Sequence, residues 1–547
     1  MNRAAICVLL AAVLTAGCGK GGFSERVRAG KEGVFRYPIV TNPTSLDPGI
    51  VQDGDTIDLL QQVYEGLVTW NEQNRVEPLL AERWDIQDGG RTYVFYLKKG
   101  AKFHSGREVT AEDFKWTIER NTDPAFKSPT ADTYLGEILG VRDKVAGRAK
   151  EVRGMQVVDT YTLKIQIDKP RPYFLGKLTY IVSAVVDKDV VPAKARDEHG
   201  NWDWPEINSV ETMGGTGPFR AETYIPEQLI VLAANKDYHG GAPNIEKIER
   251  PVIKDPATRL NKYRSGELDL VMLERQDVEG IKADPELRGH LKFFDRPSLW
   301  YVGINISPPP KGYKPFQDVR VRQAVAMAID KRKIVEEVLD GINQEANSIV
   351  PPGVLGYRPN AKALPYDPQR AKRLLAEAGY PGGRGFPELT MNFREARPDI
   401  AIVAEEVANQ LREKLGIRVS LQTMEWRSYL EKHNRDEVAF FHMRWAADYL
   451  DPENFLSFLL AGYGPENHVG YRNARYDALC SAADSELDTE KRLKLYAEAE
   501  DIVLSEAPFI PIYFQRDAEL IRPRVQGLRE SLFGHLPHKT VRLEGSG

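Results

Sequence analysis

The sequence predicts an α/β protein of two or more lobes with mostly parallel sheets, on three observations. The chain is 547 residues long, beyond what one hydrophobic core usually organises. Helical and strand periodicities alternate along it with no fixed internal repeat, the pattern of α/β layers. The composition is that of a globular chain, 42% hydrophobic and 28% charged, without the bias that marks disorder. A formal net charge of -5 offers no basic excess, so nucleic acid is not expected as a partner.

Arg3 gives the N-terminus a positive start, and residues 4–14 are apolar. That run is too short to span a bilayer and fits an export signal. It closes on Thr15, Ala16, Gly17 and Cys18. Small residues before a cysteine resemble the bacterial lipoprotein box, in which the cysteine becomes the lipidated first residue. The usual leucine three positions before the cysteine is here Leu14, four before. Residues 1–17 are therefore expected to be a signal peptide, Cys18 the lipidation site and residues 18–33 a flexible tether. Cys480 is the one cysteine of the body, so no disulfide is expected within it. The body is expected in the periplasm or at the cell surface, attached to the membrane by lipid alone.

A strand at 34–40 is followed by a turn-rich loop at 42–49. Residues 57–67 read as a helix with Leu60, Val63, Tyr64 and Leu67 on one face. A β-rich run covers 91–97. Thr110 to Asp113 resembles a capping box with Asp in its last place, ahead of Phe114 and Ile118 one turn apart. Leu163, Ile165 and Ile167 alternate with polar residues after Tyr161, as in a half-buried strand. Strands are expected at 229–233 and 300–306, and a helix leading into a strand over 255–270. One long amphipathic helix is expected over 318–339. Asp367 and Pro368 open a helix that Gly379 closes. Residues 399–415 form another, before a strand through Ile417, Val419 and Leu421. Residues 491–504 read as a helix and 507–514 as a strand.

No Gly-x-Ser-x-Gly elbow, Walker loop, His-Glu-x-x-His or paired-cysteine motif is present. No catalytic residue, metal or cofactor is therefore expected, and the chain reads as a non-enzyme. His104, in a turn, reads as structural, and the glycines at 214–217 as a tight turn rather than a nucleotide site. Paired glycosidase carboxylates have no fixed spacing, so a secreted hydrolase of oligosaccharides or peptides is the alternative.

A binding signal lies in residues 445–460. An apolar strand at 438–441 leads to Trp445 and Asp448. Asp451 can cap, and Pro452 open, a helix carrying Phe455, Phe458 and Leu459. A carboxylate beside a large aromatic in a strand-to-helix connection suits an amine-bearing ligand. Spacing alone also fits a loop acid and a core tryptophan.

Further motifs run in a set order: Ser-Leu-Asp-Pro at 45–48, Val-Tyr-Glu-Gly-Leu at 63–67, Pro-Leu-Leu-Ala-Glu-Arg-Trp at 78–84, Lys-Phe-His-Ser-Gly at 102–106, Gly-Thr-Gly-Pro-Phe at 215–219, the run 316–324, and Tyr-Asp-Pro at 366–368. With residues 445–448 they resemble family 5 of the bacterial extracellular solute-binding proteins, the oligopeptide-, dipeptide- and nickel-binding components of ABC importers. The resemblance covers nearly the whole body. It implies a two-lobed periplasmic-binding-protein fold with an extra N-terminal subdomain. Lobe I would comprise 34–64, 183–296 and 506–547, the extra subdomain 65–182 and lobe II 297–505. Hinge crossings would lie near 294–298 and 504–511.

The resemblance also implies that Asp448, beside Trp445, pairs with the free α-amine of a peptide. Backbone groups from Arg444 to Ala446 would take the peptide as an added strand. The loop with Gln52 and Gly54 would face them from the other lobe. Some members hold the ligand carboxylate with an arginine three residues before the tryptophan; that place is His442 here, while Arg444 directly precedes Trp445, and either base could serve. The partners implied are a short peptide or related small solute and an ABC permease in the inner membrane, with the protein a monomer. A ligand-binding sensor of the same fold is a further alternative.

Overall fold

The computed structural model describes residues 33–395 and 398–545. The expected signal peptide, Cys18 and all but the last residue of the tether lie outside the described residues. Among those described, no helix is long and apolar enough to cross a membrane.

Three sheets organise the chain. The first has four strands, Val34–Arg36, Lys247–Pro251, Leu229–Ala234 and Phe219–Ile225 in spatial order. Its core gathers Phe35, Leu60, Val63 and Ile248 with Val541 from the far end of the chain. The second, also of four strands, runs Ala81–Gln87, Thr92–Leu97, Thr162–Gln166 and Met155–Asp159. It closes its own core over Phe95, Phe114, Leu135, Leu163 and Phe174. The third has seven strands and is centred on two long ones, Leu291–Ile304 and Phe509–Ile521. Helices cover both its faces, through Val321, Val325, Val403 and Leu411 on one side and Tyr476, Cys480 and Val503 on the other. This is a multi-domain α/β architecture in which each sheet buries its own apolar face.

The sheets are mostly antiparallel, contrary to the expectation from alternation. Parallel pairing among the described strands joins Val34–Arg36 to Lys247–Pro251, and Leu389–Arg394 to Val419–Met424 and Phe440–Ala446. The two long central strands come from distant stretches rather than from successive strand–helix–strand crossovers. The order of helices and strands in sequence therefore does not fix their direction.

Local signals hold where their partners are local. Thr110 caps Ala111–Asn121, and Asp113 Oδ2 accepts from the Thr110 N–H at 2.9 Å. Asp367 caps Pro368–Glu377, and Gly379 follows with φ +98°. Two expected helices change. The one read over 57–67 spans Gly54–Leu60, because Asp53 caps it early. It stops because the carbonyls of Gln62 and Val63 accept from the N–H groups of Phe219 and Gly217, at 3.0 and 2.8 Å. A Cβ on Gly215 would stand 2.1 Å from Val63 O, so these glycines serve close backbone approach. The long helix read over 318–339 is broken: Val319–Ala328 ends, Asp330 accepts from the Lys333 N–H to start again, and Ile334–Val338 is a π-helix.

Pairing between the long central strands is interrupted between Asp295 and Leu299, opposite residues 514–516. The first expected crossing, 294–298, lies on this interruption.

Candidate functional site

The strand Phe440–Ala446 runs antiparallel to Leu291–Ile304, with Phe440 opposite Ile304 and Ala446 opposite Ser298. Trp445 thus belongs to the strand and not to the connection after it. The neighbour on the other side, Leu389–Arg394, is in register only at Phe440 and Phe441. The strand runs on to Ala446 past that neighbour, and Asp448 sits in the turn at its end. The chain then forms a 3₁₀ turn, Pro452–Asn454, and the short helix Ser457–Leu460, instead of one continuous helix. Asp451 caps the turn as expected, accepting from the Glu453 N–H at 2.9 Å. Its carboxylate is also gripped by both terminal nitrogens of Arg492, at 2.8 and 2.6 Å.

Asn454, wholly buried, ties Trp445 to Asp448. Its Oδ1 accepts from the Trp445 indole N–H at 3.0 Å and from the Asp448 backbone N–H at 3.1 Å. The Trp445 ring leans on Phe458 with centroids 5.6 Å apart. Half-buried, it braces the turn.

Asp448 is half-buried. Burial, opposed by a hydrogen bond from Tyr134, lifts its pKa from 3.8 to about 6. Tyr134 reaches it from the segment beside the second sheet and stacks flat on Tyr180, with centroids 3.6 Å apart at 8°. Burial first, and then the Asp448 charge, push the pKa of both tyrosines upward; Asp53 adds to the effect at Tyr180. Gln52 and Gly54 flank Asp53, in the loop that opens the helix Gly54–Leu60. Both residues are exposed, and nothing lies within 4 Å of a Cβ placed on Gly54.

A second contact joins the same turn to the second sheet's core. Tyr449 stacks with Tyr173 at 5.7 Å. The Lys177 ammonium lies 5.7 and 5.6 Å from the ring centres of Tyr173 and Tyr449 and pairs with Glu137 at 2.5 Å. Beneath it, burial and the charge of Asp484 push the Glu453 pKa to about 8.

Of the two bases that could meet a ligand carboxylate, His442 is unsuited. It is 2% exposed and stacked on Trp300 at 5.3 Å, and burial drops its pKa to about 3. An enclosed neutral ring supplies no charge. Arg444 is exposed at the rim, its Nη1 donating to Gln515 Oε1 at 3.2 Å. Gln515 Oε1 also accepts from the Trp300 indole N–H at 3.3 Å.

Sequence reasoning does not single out Tyr134, Tyr180, Asn454 or Lys177. Tyr134 sits in an apolar helical pattern that looks the same as core, and Asn454 looks like any first-turn residue. Only their meeting with Asp448 and its turn gives them a role.

The family described as bacterial extracellular solute-binding proteins, family 5 Middle, matches residues 75–467. The "Probable deoxycholate-binding periplasmic protein YgiS" of Escherichia coli is 32% identical over 506 residues, covering 90% of each chain. Heme-binding protein A of Haemophilus influenzae is 29% identical over 99% of this chain and 98% of its own length. The solved structure of the Escherichia coli murein tripeptide binding protein MppA superposes with a TM-score of 0.77 at 26% identity, covering 94% of this chain and 99% of that one.

Proposed function

The chain belongs to the bacterial extracellular solute-binding proteins of family 5, the solute-capturing components of ABC importers, and from that membership we propose that its cargo is a short peptide held by its free α-amine. The observation that carries the reading is the half-buried carboxyl of Asp448, at the end of a strand that outruns its neighbour. An extended peptide lies along that edge as an added strand, its ammonium on Asp448 and its carboxylate toward Arg444. The lobes turn about the interruption at residues 295–299 and 514–516 to close over it. Membrane attachment through Cys18 belongs to the same reading.

The physics favours a cationic end. A charge-assisted hydrogen bond contributes about 1.5–3 kcal/mol, and an ammonium relieves the cost that burial imposes on Asp448. A ligand that brings a carboxylate to this end meets like charge. Heme-binding and deoxycholate-binding relatives exist, so the chemistry at Asp448 separates the cargo classes.

Affinity for trialanine and for N-acetyl-trialanine, measured by calorimetry between pH 5 and 8, tests the proposal. Without ligand, Asp448 carries a proton below about pH 6, and the peptide ammonium requires the carboxylate. Free trialanine is expected to bind at least about 10-fold more tightly than the acetylated form at pH 7.5. Its affinity should fall by up to about 10-fold per unit as the pH drops below 6. Equal affinity for the two peptides, or no change across that range, contradicts the assignment.

A further inference from the structure

We propose that Glu530 and His535 form a site for one divalent transition-metal ion, zinc being the probe of choice, with Glu519 orienting the histidine. The site is independent of the cargo reading. The two residues lie on the short hairpin Glu530–Ser531 and Gly534–His535 near the C-terminus. Glu519 lies on the long central strand Phe509–Ile521. One ligand atom from each of the three lies within 4.8 Å of the others.

The pairing within this group leaves a gap for a cation. His535 Nε2 is 2.8 Å from Glu519 Oε2, the distance of a donated hydrogen bond to a buried carboxylate. That tautomer leaves Nδ1 with a lone pair. Nδ1 lies 3.2 Å from Glu530 Oε1, and both atoms are buried with no hydrogen-bond partner. The His535 side chain is 9% exposed. In that tautomer two acceptors face each other, so a cation, either a second ring proton or a metal ion, belongs between them. Ligands about 2.0–2.1 Å from a tetrahedral zinc ion stand about 3.3 Å apart, so the present spacing admits an ion with little movement. A carboxylate behind the histidine, holding its other nitrogen, is the usual support of a metal-bound imidazole.

Local charge agrees. Arg296 pairs with Asp517 at 2.5 Å and with Glu519 at 3.2 Å. With Glu530 there are three carboxylates against one guanidinium around the imidazole, an acidic setting for a cation. The ion fastens the hairpin to the strand beside the interrupted pairing. At the hairpin tip Phe533 meets Trp70 at 5.7 Å.

The competing occupant is a proton shared between His535 and Glu530. The test uses full-length protein without a histidine tag, stripped with chelator and titrated with Zn²⁺ by calorimetry and native mass spectrometry at pH 7.5. One zinc per chain is expected, with a raised Tm. Glu530→Gln and His535→Gln should each weaken it at least 10-fold while leaving the metal-free Tm within a few degrees. No zinc bound by the unaltered chain overturns the site by itself. Undiminished binding in both variants places the ion elsewhere and overturns it too.

Discussion

Asp448→Asn is expected to weaken a free-amine tripeptide by about 10- to 150-fold, the loss of a charge-assisted bond of about 1.5–3 kcal/mol, and to leave the N-acetylated peptide nearly unchanged. Asparagine keeps the shape and can still accept from the Tyr134 hydroxyl, which hydrogen-bonds this side chain, so the turn should persist. The check is a calorimetric comparison of both peptides on both proteins. Loss of equal size for the two peptides would mean that Asp448 shapes the turn and does not read the amine. The variant should also lose the fall in affinity below pH 6, because the titrating group is gone.

Arg120→Met is expected to lower stability by about 3–5 kcal/mol, the usual result of removing one partner of a buried ion pair. Arg120 and Asp47 are both fully buried, joined at 2.5 and 3.1 Å. Asp47 also accepts from the N–H groups of Gly49 and Ile207, so one aspartate holds three segments together. Phe126 lies 4.1 Å from the guanidinium carbon and cannot replace its charge. The check is the denaturant midpoint of Arg120→Met beside that of Arg120→Met with Asp47→Asn. The second change should restore part of the loss, since the unpaired charge causes most of it.

The two variants draw on different parts of what the sequence discloses. Asp47 lies in a motif legible from the chain, but its partner does not announce itself, because Arg120 looks like an ordinary charge near a helix end. The same limit recurs through the fold. The Thr110 cap is readable because Asp113 is three residues away. The end of the helix Gly54–Leu60 is not, because Gly217 and Phe219 decide it from far along the chain. Strand direction escapes the sequence for a similar reason, since periodicity reports which face is buried and not which strand lies alongside.

The site divides in the same way. Asp448 and Trp445 are candidates on their local pattern and its family resemblance. Tyr134 and Tyr180 are not, because they come from another part of the chain. The choice between His442 and Arg444 turns on depth along one strand face. His442 lies toward the packed interior beside Trp300, while Arg444 reaches the rim near Gln515. Alternation places them on the same face and cannot rank their exposure.

Native mass spectrometry of the protein as purified, with release and fragmentation of whatever it carries, tests the reading most directly. The result expected is one intact small solute per chain, bearing a primary amine and sequencing as a short peptide. A released solute with no cationic nitrogen, or one that the protein cleaves on incubation, would contradict a cleft built to hold an ammonium on Asp448.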